Sequence, residues 1–399
     1  MTRVLVLSWE YPPIVEGGLA RHVRKLSEGL VGHGVELHVL TRGDGELPAE
    51  EERAGVHVHR VPEGATPRDL DAFLRWVRRM NRDMAAAGSE LASRFDFDLV
   101  HGHDWLVGRA GDRLARHVRC PLVVTFHATE FGRHQGWVDK HPQSHIHGEE
   151  RWLAGRADQV ITCSHYMRGH VADVYGLDER RVHVIPNGID PADLTTIDDL
   201  ETLRARFAAP HERLVLLVGR LVYEKGFHLA LEALPRLIDR VGDVRFLVAG
   251  SGTAEAELKR QARALGLDDH GTFMGWIGDD VLHSLYRISD LVVVPSIYEP
   301  FGLVALEAMA SGCPCIVADT GGLREVVPNA EVGLRFRSQD SRALGRMMQR
   351  VLTDADLRDR LITEASEHIL RFDWNDIARQ TAGLYADAAT ARRRTAGVS

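Results

Sequence analysis

A chain of 399 residues, 44% of them hydrophobic and 27% charged, is too long for one ordinary core and fits two globular domains of about 200 residues each. A formal net charge of −8 argues against nucleic acid as the main partner, since surfaces that track phosphates are usually basic. No stretch approaches the roughly 18 uninterrupted apolar residues of a spanning helix, and Trp9-Glu10-Tyr11-Pro12-Pro13 follows the first apolar run too soon for a signal peptide.

Along the chain the pattern repeats: apolar run, loop, amphipathic stretch. Val4–Leu7 reads as a buried strand, Leu19–Leu30 as a helix and Val35–Thr41 as the next strand. Further strands are expected at Val56–Val61, Asp98–His101, Leu122–Phe126, Gln159–Thr162 and Val182–Ile185, with helices near 68–86, 106–117, 144–155 and 165–175. The runs are continuous in Val, Leu and Ile rather than alternating. That is the mark of strands covered on both faces, hence of parallel sheets flanked by helices. After Asn187-Gly188-Ile189-Asp190 comes a polar stretch, Pro191 to Arg213, and the alternation then starts afresh. Strands follow at Leu214–Val218, Val244–Ala249, Thr272–Met274, Leu291–Val294 and Cys315–Ala318. Two such series predict two doubly wound α/β domains with a boundary near 187–190. The final segments, 340–353, 355–369 and 374–394, are helical in pattern, and the tail from Arg392 is expected to fray. Cys120, Cys163, Cys313 and Cys315 form no CxxC pair, which predicts reduced, buried thiols in a cytoplasmic protein.

Four constellations carry chemistry. Glu16-Gly17-Gly18-Leu19 lies between the first strand and the first helix, where paired glycines let backbone amides approach an anion. It is not the GxGxxG fingerprint, so a nicotinamide dinucleotide is not supported, and a plain glycine turn would read the same way. Arg220 and Lys225 lie on the loop that follows the strand Leu214–Val218, at the sheet edge where doubly wound folds bind ligands. They suit a diphosphate, Arg220 as a bidentate fork and Lys225 as a point charge, although two solvated cations would look alike. In Pro295-Ser296-Ile297-Tyr298-Glu299-Pro300-Phe301-Gly302-Leu303, a strand ends at Pro295 and a helix is expected to begin near Phe301. Glu299 then projects from the loop, Glu307 sits one turn past Leu303, and the amides of Phe301, Gly302 and Leu303 face a phosphate. Finally, His103-Asp104-Trp105 and His127-Ala128-Thr129-Glu130 follow two strand ends and could offer hydrogen bonds and a ring face to a sugar.

Other features have plainer explanations. His134, His141, His145 and His147 crowd one loop, but no cysteine or carboxylate spacing supports a metal site. Asp198-Asp199, Asp268-Asp269 and Asp279-Asp280 read as helix caps or loop residues. Arg75, Arg78, Arg79 and Arg82 share one helix face with Phe73, Val77, Met80 and Met84 on another, a solvated helix or a surface for anionic lipid.

Together these blocks resemble glycosyltransferase family 4 with the GT-B fold, through nearly the whole chain. The Glu-x7-Glu of Glu299 and Glu307, the Arg220/Lys225 pair and Gly17-Gly18 all match the family. Ser8-Trp9-Glu10-Tyr11-Pro12-Pro13, His103-Asp104-Trp105 and Gly132-Arg133-His134-x-Gly136-Trp137 are similar to the glycogen-synthase-like α-glucosyltransferases more narrowly. The resemblance implies two Rossmann-like domains: an acceptor-side domain over 1–188, completed by a crossover helix over 374–399, and a nucleotide-sugar domain over 189–373. It implies that Arg220 and Lys225 hold the diphosphate, Glu307 the ribose, and Glu299 and His127 the donor sugar. Phe301, Gly302 and Leu303 would touch phosphate and sugar through their backbone, and Ile277 in Gly275-Trp276-Ile277 would meet the base. Gly17 and Gly18 would face the donor, and His103, Asp104 and Trp105 would line the acceptor side. The implied reaction is retaining transfer of glucose, from UDP- or ADP-glucose as co-substrate, to a glucan, oligosaccharide or glycolipid, with no metal and no resident cofactor. A mannosyl- or other hexosyltransferase with a lipid-linked or small acceptor, touching the membrane peripherally, is the alternative. An epimerase or a glycogen phosphorylase fits less well, because no pyridoxal-type lysine context accompanies the two glutamates.

Overall fold

The computed structural model describes residues 2–67 and 69–396, with side chains described to Ala391. It divides into two compact units, one of Met1–Gly188 with Trp374–Ser399 and one of Ile189–Asp373.

In the first unit the strands are β1 (Thr2–Leu7), β2 (Val35–Gly43), β3 (Glu50–Arg53), β4 (Val56–Pro62), β5 (Leu99–His103), β6 (Leu122–Phe126), β7 (Gln159–Thr162) and β8 (Val182–Val184). Their order in the sheet is 3-4-2-1-5-6-7-8, and every pairing is parallel except β3 with β4. Val4, Leu5, Val6 and Leu7 are all buried, as a central strand covered on both faces requires. The antiparallel β3 departs from the sequence reading. Glu50-Glu51-Glu52-Arg53 has no apolar residue to signal a strand. It pairs because Ala54 and Gly55 both take positive φ, +50° and +76°, in a two-residue hairpin turn. A fully charged edge strand also discourages pairing with other chains.

The second unit holds β9 (Arg213–Val218), β10 (Val244–Ala249), β11 (Gly271–Gly275), β12 (Leu291–Val294), β13 (Cys315–Ala318) and β14 (Leu334–Phe336), all parallel, in the order 11-10-9-12-13-14. The short β14 carries too few apolar residues to be legible alone.

Several helix bounds also differ from expectation. The helix expected near 68–86 runs Leu70–Arg94, started by an Asp69 cap on the Ala72 amide; position 68 lies outside the described residues. It continues through Gly88, where a side chain would strike Leu114 of the neighbouring helix. Arg75, Arg78, Arg79 and Arg82 are exposed on it, with Val77, Met80 and Met84 buried opposite.

The last helix, Trp374–Ala396, buries Ile377, Ala378, Leu384, Tyr385 and Ala388 in the core of the first unit. Full burial of Ile377 and Leu384 stabilises that docking by about 1.5–3 kcal/mol each. The remainder of the tail expected to fray, beyond Ala396, lies outside the described residues. The four cysteines are buried and none is in a disulfide. Among the described residues, no helix is long and apolar enough to cross a membrane.

Candidate active site

Each sheet has one point where the chain reverses its direction of growth. In the second unit it lies between β9 and β12, which pair directly while β10 and β11 extend the other way. In the first it lies between β1 and β5. The crevice outside the carboxyl ends of strands at such a point is where open α/β sheets bind ligands.

At the β9/β12 point two loops are stitched together. Backbone amides of Ile297 and Tyr298 donate to the Glu224 carbonyl at 2.8 and 3.3 Å. Gly226, at φ +69°, makes this approach possible, since a Cβ there would stand 2.0 Å from the Pro295 carbonyl oxygen. The consequence is an ion pair across the switch point: Lys225 Nζ lies 2.8 Å from Glu299 Oε2, which also accepts a hydrogen bond from Ser296 Oγ at 3.1 Å. Glu299 therefore does not project freely from its loop. It is only 8% exposed, because a carboxylate can be buried there once Lys225 neutralises it. Arg220 stays at the surface, with Nη2 3.7 Å from Glu224 Oε1, so the structure brings Lys225 rather than Arg220 onto Glu299.

The following helix is Leu303–Ala310, starting two residues later than expected. Gly302 has φ +124°, which is not helical, and a Cβ there would lie 2.7 Å from Leu323. Phe301 is buried edge-on against Phe372 at 5.8 Å and anchors the loop, so its side chain is a packing element. The first-turn amides are consequently those of Leu303, Val304 and Ala305, the last already bonded to the Gly302 carbonyl at 3.0 Å. Glu307 accepts a hydrogen bond from the Tyr286 hydroxyl at 2.8 Å, which fixes its carboxylate. Ile277 is half-buried just past β11 on the same sheet edge, beside an exposed Trp276.

In the first unit, Gly17 is the N-cap of the helix Gly18–Gly32. Its amide, with that of Glu16, donates to Glu10 Oε2, the Gly17 bond measuring 3.2 Å. The seat expected to take a ligand's anion is thus occupied by a carboxylate of the chain itself, while Gly17 and Gly18 remain exposed beside it. Burial raises the Glu10 carboxyl above its ordinary range, against those two amides. Sequence reasoning missed this role, although a lone Glu inside Trp9-Glu10-Tyr11 is the signal that could have shown it.

Asp104 follows β5 with φ +61° and ψ 174°, a region costing a non-glycine residue about 1–3 kcal/mol. Its Oδ1 accepts the His127 amide at 2.8 Å and its own amide donates to Thr125 at 2.9 Å. The strained residue therefore places His127. Removal from water pushes its carboxyl up to about 6. His103 was expected to meet a sugar. It is fully buried instead and lies behind His127, its Nδ1 3.0 Å from His127 Nε2. Trp105 packs edge-on to Phe73 at 6.5 Å and lines a groove with Leu74, Val77, Arg78, Arg82 and Arg113.

His22, His103 and His127 offer nitrogens within 4.8 Å of one another, close enough to hold a cation. One entering there would have to break the His103–His127 hydrogen bond. The histidine-rich loop does not converge. His134 faces Glu130, His141 faces Asp71, His145 faces Arg78, and His147 packs on Tyr175.

This buried cluster predicts an acid-labile fold. Burial pushes His101 down to about 3 and His127 to about 4, and holds His22 and His103 well below the usual range. A depressed folded value stabilises fully above the unfolded value near 6.5 and is lost as pH falls toward the folded one. Each such histidine should remove up to about 1.4 kcal/mol per pH unit across that window. Asp104 and Glu150, raised to about 6 and about 7, act in the opposite direction but are outnumbered. Urea unfolding at pH 7.5 and at pH 5 should give clearly lower stability at pH 5; equal stabilities would contradict the burial of neutral imidazoles.

Residues 199–368 match the model of glycosyl transferases group 1, and residues 16–193 that of Glycosyltransferase Family 4. The chain is 36% identical over 411 residues to a glycogen synthase of Mycobacterium tuberculosis, covering 98% of this chain and 96% of that one. Sucrose-phosphate synthase from Thermosynechococcus elongatus superposes with a TM-score of 0.83 at 26% identity, over 98% of this chain and 100% of its own. The Anabaena protein HepE in complex with UDP-glucose shares the fold, with a TM-score of 0.75 and 21% identity over 97% of this chain and 100% of its own. Likeness along almost the full length, on sheets whose switch points carry these side chains, places the chain in glycosyltransferase family 4 as a glycosyltransferase of the GT-B fold.

Proposed function

We propose that this enzyme is a retaining, metal-independent hexosyltransferase that moves glucose from UDP- or ADP-glucose to a glucan or related carbohydrate, forming an α-glycosidic bond. The observation that carries the reading is the Lys225–Glu299 pair, 2.8 Å apart at the β9/β12 switch point, with Arg220 on the same loop. Glucose as the sugar draws support from the glycogen synthase relative.

In this reading Lys225 and Arg220 take up the charge of the departing diphosphate, with the first-turn amides at Leu303 and Val304. Fixed donors of this kind lower the barrier by about 3–4 kcal/mol each. Glu299, set by Lys225 and Ser296, positions the sugar hydroxyls. Glu307, set by Tyr286, takes the ribose, and the backbone at Ile277 meets the base. His127, placed by Asp104, lies against the sugar at the reacting carbon. The bond from the anomeric carbon to the phosphate oxygen breaks, and the acceptor hydroxyl attacks the same face while the leaving phosphate oxygen takes its proton. Glu299 is engaged in an ion pair and is not assigned as a covalent nucleophile. Four buried cysteines outside any disulfide suit a cytoplasmic protein.

A second reading, transfer to a lipid-linked acceptor with peripheral membrane contact, is favoured by Arg78 and Arg82, which line the Trp105 groove, with Arg75 exposed on the same helix. Screening nucleotide-glucose and nucleotide-mannose donors for diphosphate release, with and without malto-oligosaccharides and with chelator, tests the first. Release should occur with a glucose donor, rise with malto-oligosaccharide and survive chelation; dependence on a divalent ion would sink the metal-free mechanism. Pelleting with anionic vesicles tests the second.

A further inference from the structure

The first unit carries another histidine cluster, at the β3-β4-β2 edge of its sheet, which plays no part in the transfer chemistry. His38 on β2 stands opposite His57 on β4, and the same register sets Leu40 opposite His59. Residues two apart on a strand share a face, so Glu36, His38, His57 and His59 converge on one side. The β3 hairpin adds Glu52 opposite His57 and Glu50 opposite His59. His38 Nε2 is 3.3 Å from Glu36 Oε1, and one oxygen of Glu36 with one nitrogen each of His38 and His57 lie within 4.8 Å of one another.

We propose that Glu36, His38 and His57 form a binding site for a divalent transition cation of the zinc class. Two imidazoles and a carboxylate are the donor set such ions take, leaving a fourth position for water. Metal–ligand bonds of about 2.0–2.2 Å put ligand atoms about 3.3 Å apart, so the set must close by about 1.5 Å at most. His57, with a side chain 40% exposed, has room to make that movement.

The surroundings are built as a metal site's outer layer is built. With Nε2 turned to Glu36, His38 presents Nδ1 to His59 Nε2 at 3.0 Å, and His59 Nδ1 in turn faces Glu50 Oε1 at 3.5 Å. His38 is stacked between His57 and His59, at 4.7 and 5.3 Å, and closed off by Phe95 and Phe97. Arg3 bonds both oxygens of Glu36, at 2.6 and 2.9 Å, orienting the carboxylate and leaving each oxygen a further lone pair. Glu52 Oε2, 3.9 Å from His57 Nδ1, adds negative charge at the open edge. A bound cation would staple the charged β3–β4 hairpin to the buried β2.

The test is titration of the metal-free full-length protein with Zn2+ by calorimetry, with Co2+ as a spectroscopic stand-in, on wild type, His57→Ala and His127→Ala. Wild type should take one cation per chain with a rise in Tm. His57→Ala should bind at least about tenfold more weakly and lose the Tm rise, while His127→Ala keeps both. Because His57 is partly exposed, its removal leaves the core packed, and far-ultraviolet circular dichroism checks this directly. Unchanged affinity in His57→Ala, loss of binding in His127→Ala instead, or no uptake by wild type would each overturn the assignment.

Discussion

Lys225→Ala should lose about 10²-fold or more in turnover while remaining folded. The ammonium is held by its 2.8 Å pair with Glu299, and the residue sits in the short turn after β9 rather than in a strand, so truncation should leave the sheet intact. What disappears is a fixed positive charge at the β9/β12 switch point, the charge needed most when the donor's diphosphate departs. Glu299, only 8% exposed, is simultaneously left without its counter-ion, so the carboxylate that positions the sugar loses its orientation. The loss should fall on kcat at least as much as on KM, since the charge develops in the transition state. Turnover measured with saturating donor, alongside circular dichroism, checks it; near-normal turnover would remove Lys225 from the diphosphate.

The sheets were legible because parallel strands buried on both faces announce themselves as continuous apolar runs. Val4–Leu7, Leu122–Phe126 and Leu291–Val294 are of this kind. From strand order it also followed that Arg220, Lys225 and Glu299 share a carboxyl edge. The sequence could not say which cation meets Glu299, since that depends on Gly226 letting its loop press against Pro295. Nor could it show β3, whose four charged residues pair only because of the turn after them. The exact start of the helix at Leu303 is set by the φ of Gly302, and the strain at Asp104 is likewise a dihedral that no pattern of residue types encodes. The surroundings of His103 and Glu10 are not legible in the sequence for a common reason: the partner of each is another side chain or amide of the same unit, brought close only by the fold.

Glu299→Gln should cost about as much turnover as Lys225→Ala, on the order of 10²-fold, and the double variant should cost far less than the product of the two. Gln keeps the size of Glu and a carbonyl acceptor for Ser296 Oγ, so the loop should hold its shape. It cannot balance Lys225, whose ammonium would then be drawn toward the nearest remaining negative charge rather than held where the diphosphate departs. In both single variants the same object is broken, a cation and a carboxylate fixed by one another 2.8 Å apart. Once either partner is gone, removing the other takes away little more, and a coupling energy of about 0.5–3 kcal/mol should appear in the cycle. Additive losses would mean that the two side chains act on the donor separately. The pairing across the switch point would then be a feature of the unliganded protein alone, and the mechanism would need a different source for the orientation of Glu299.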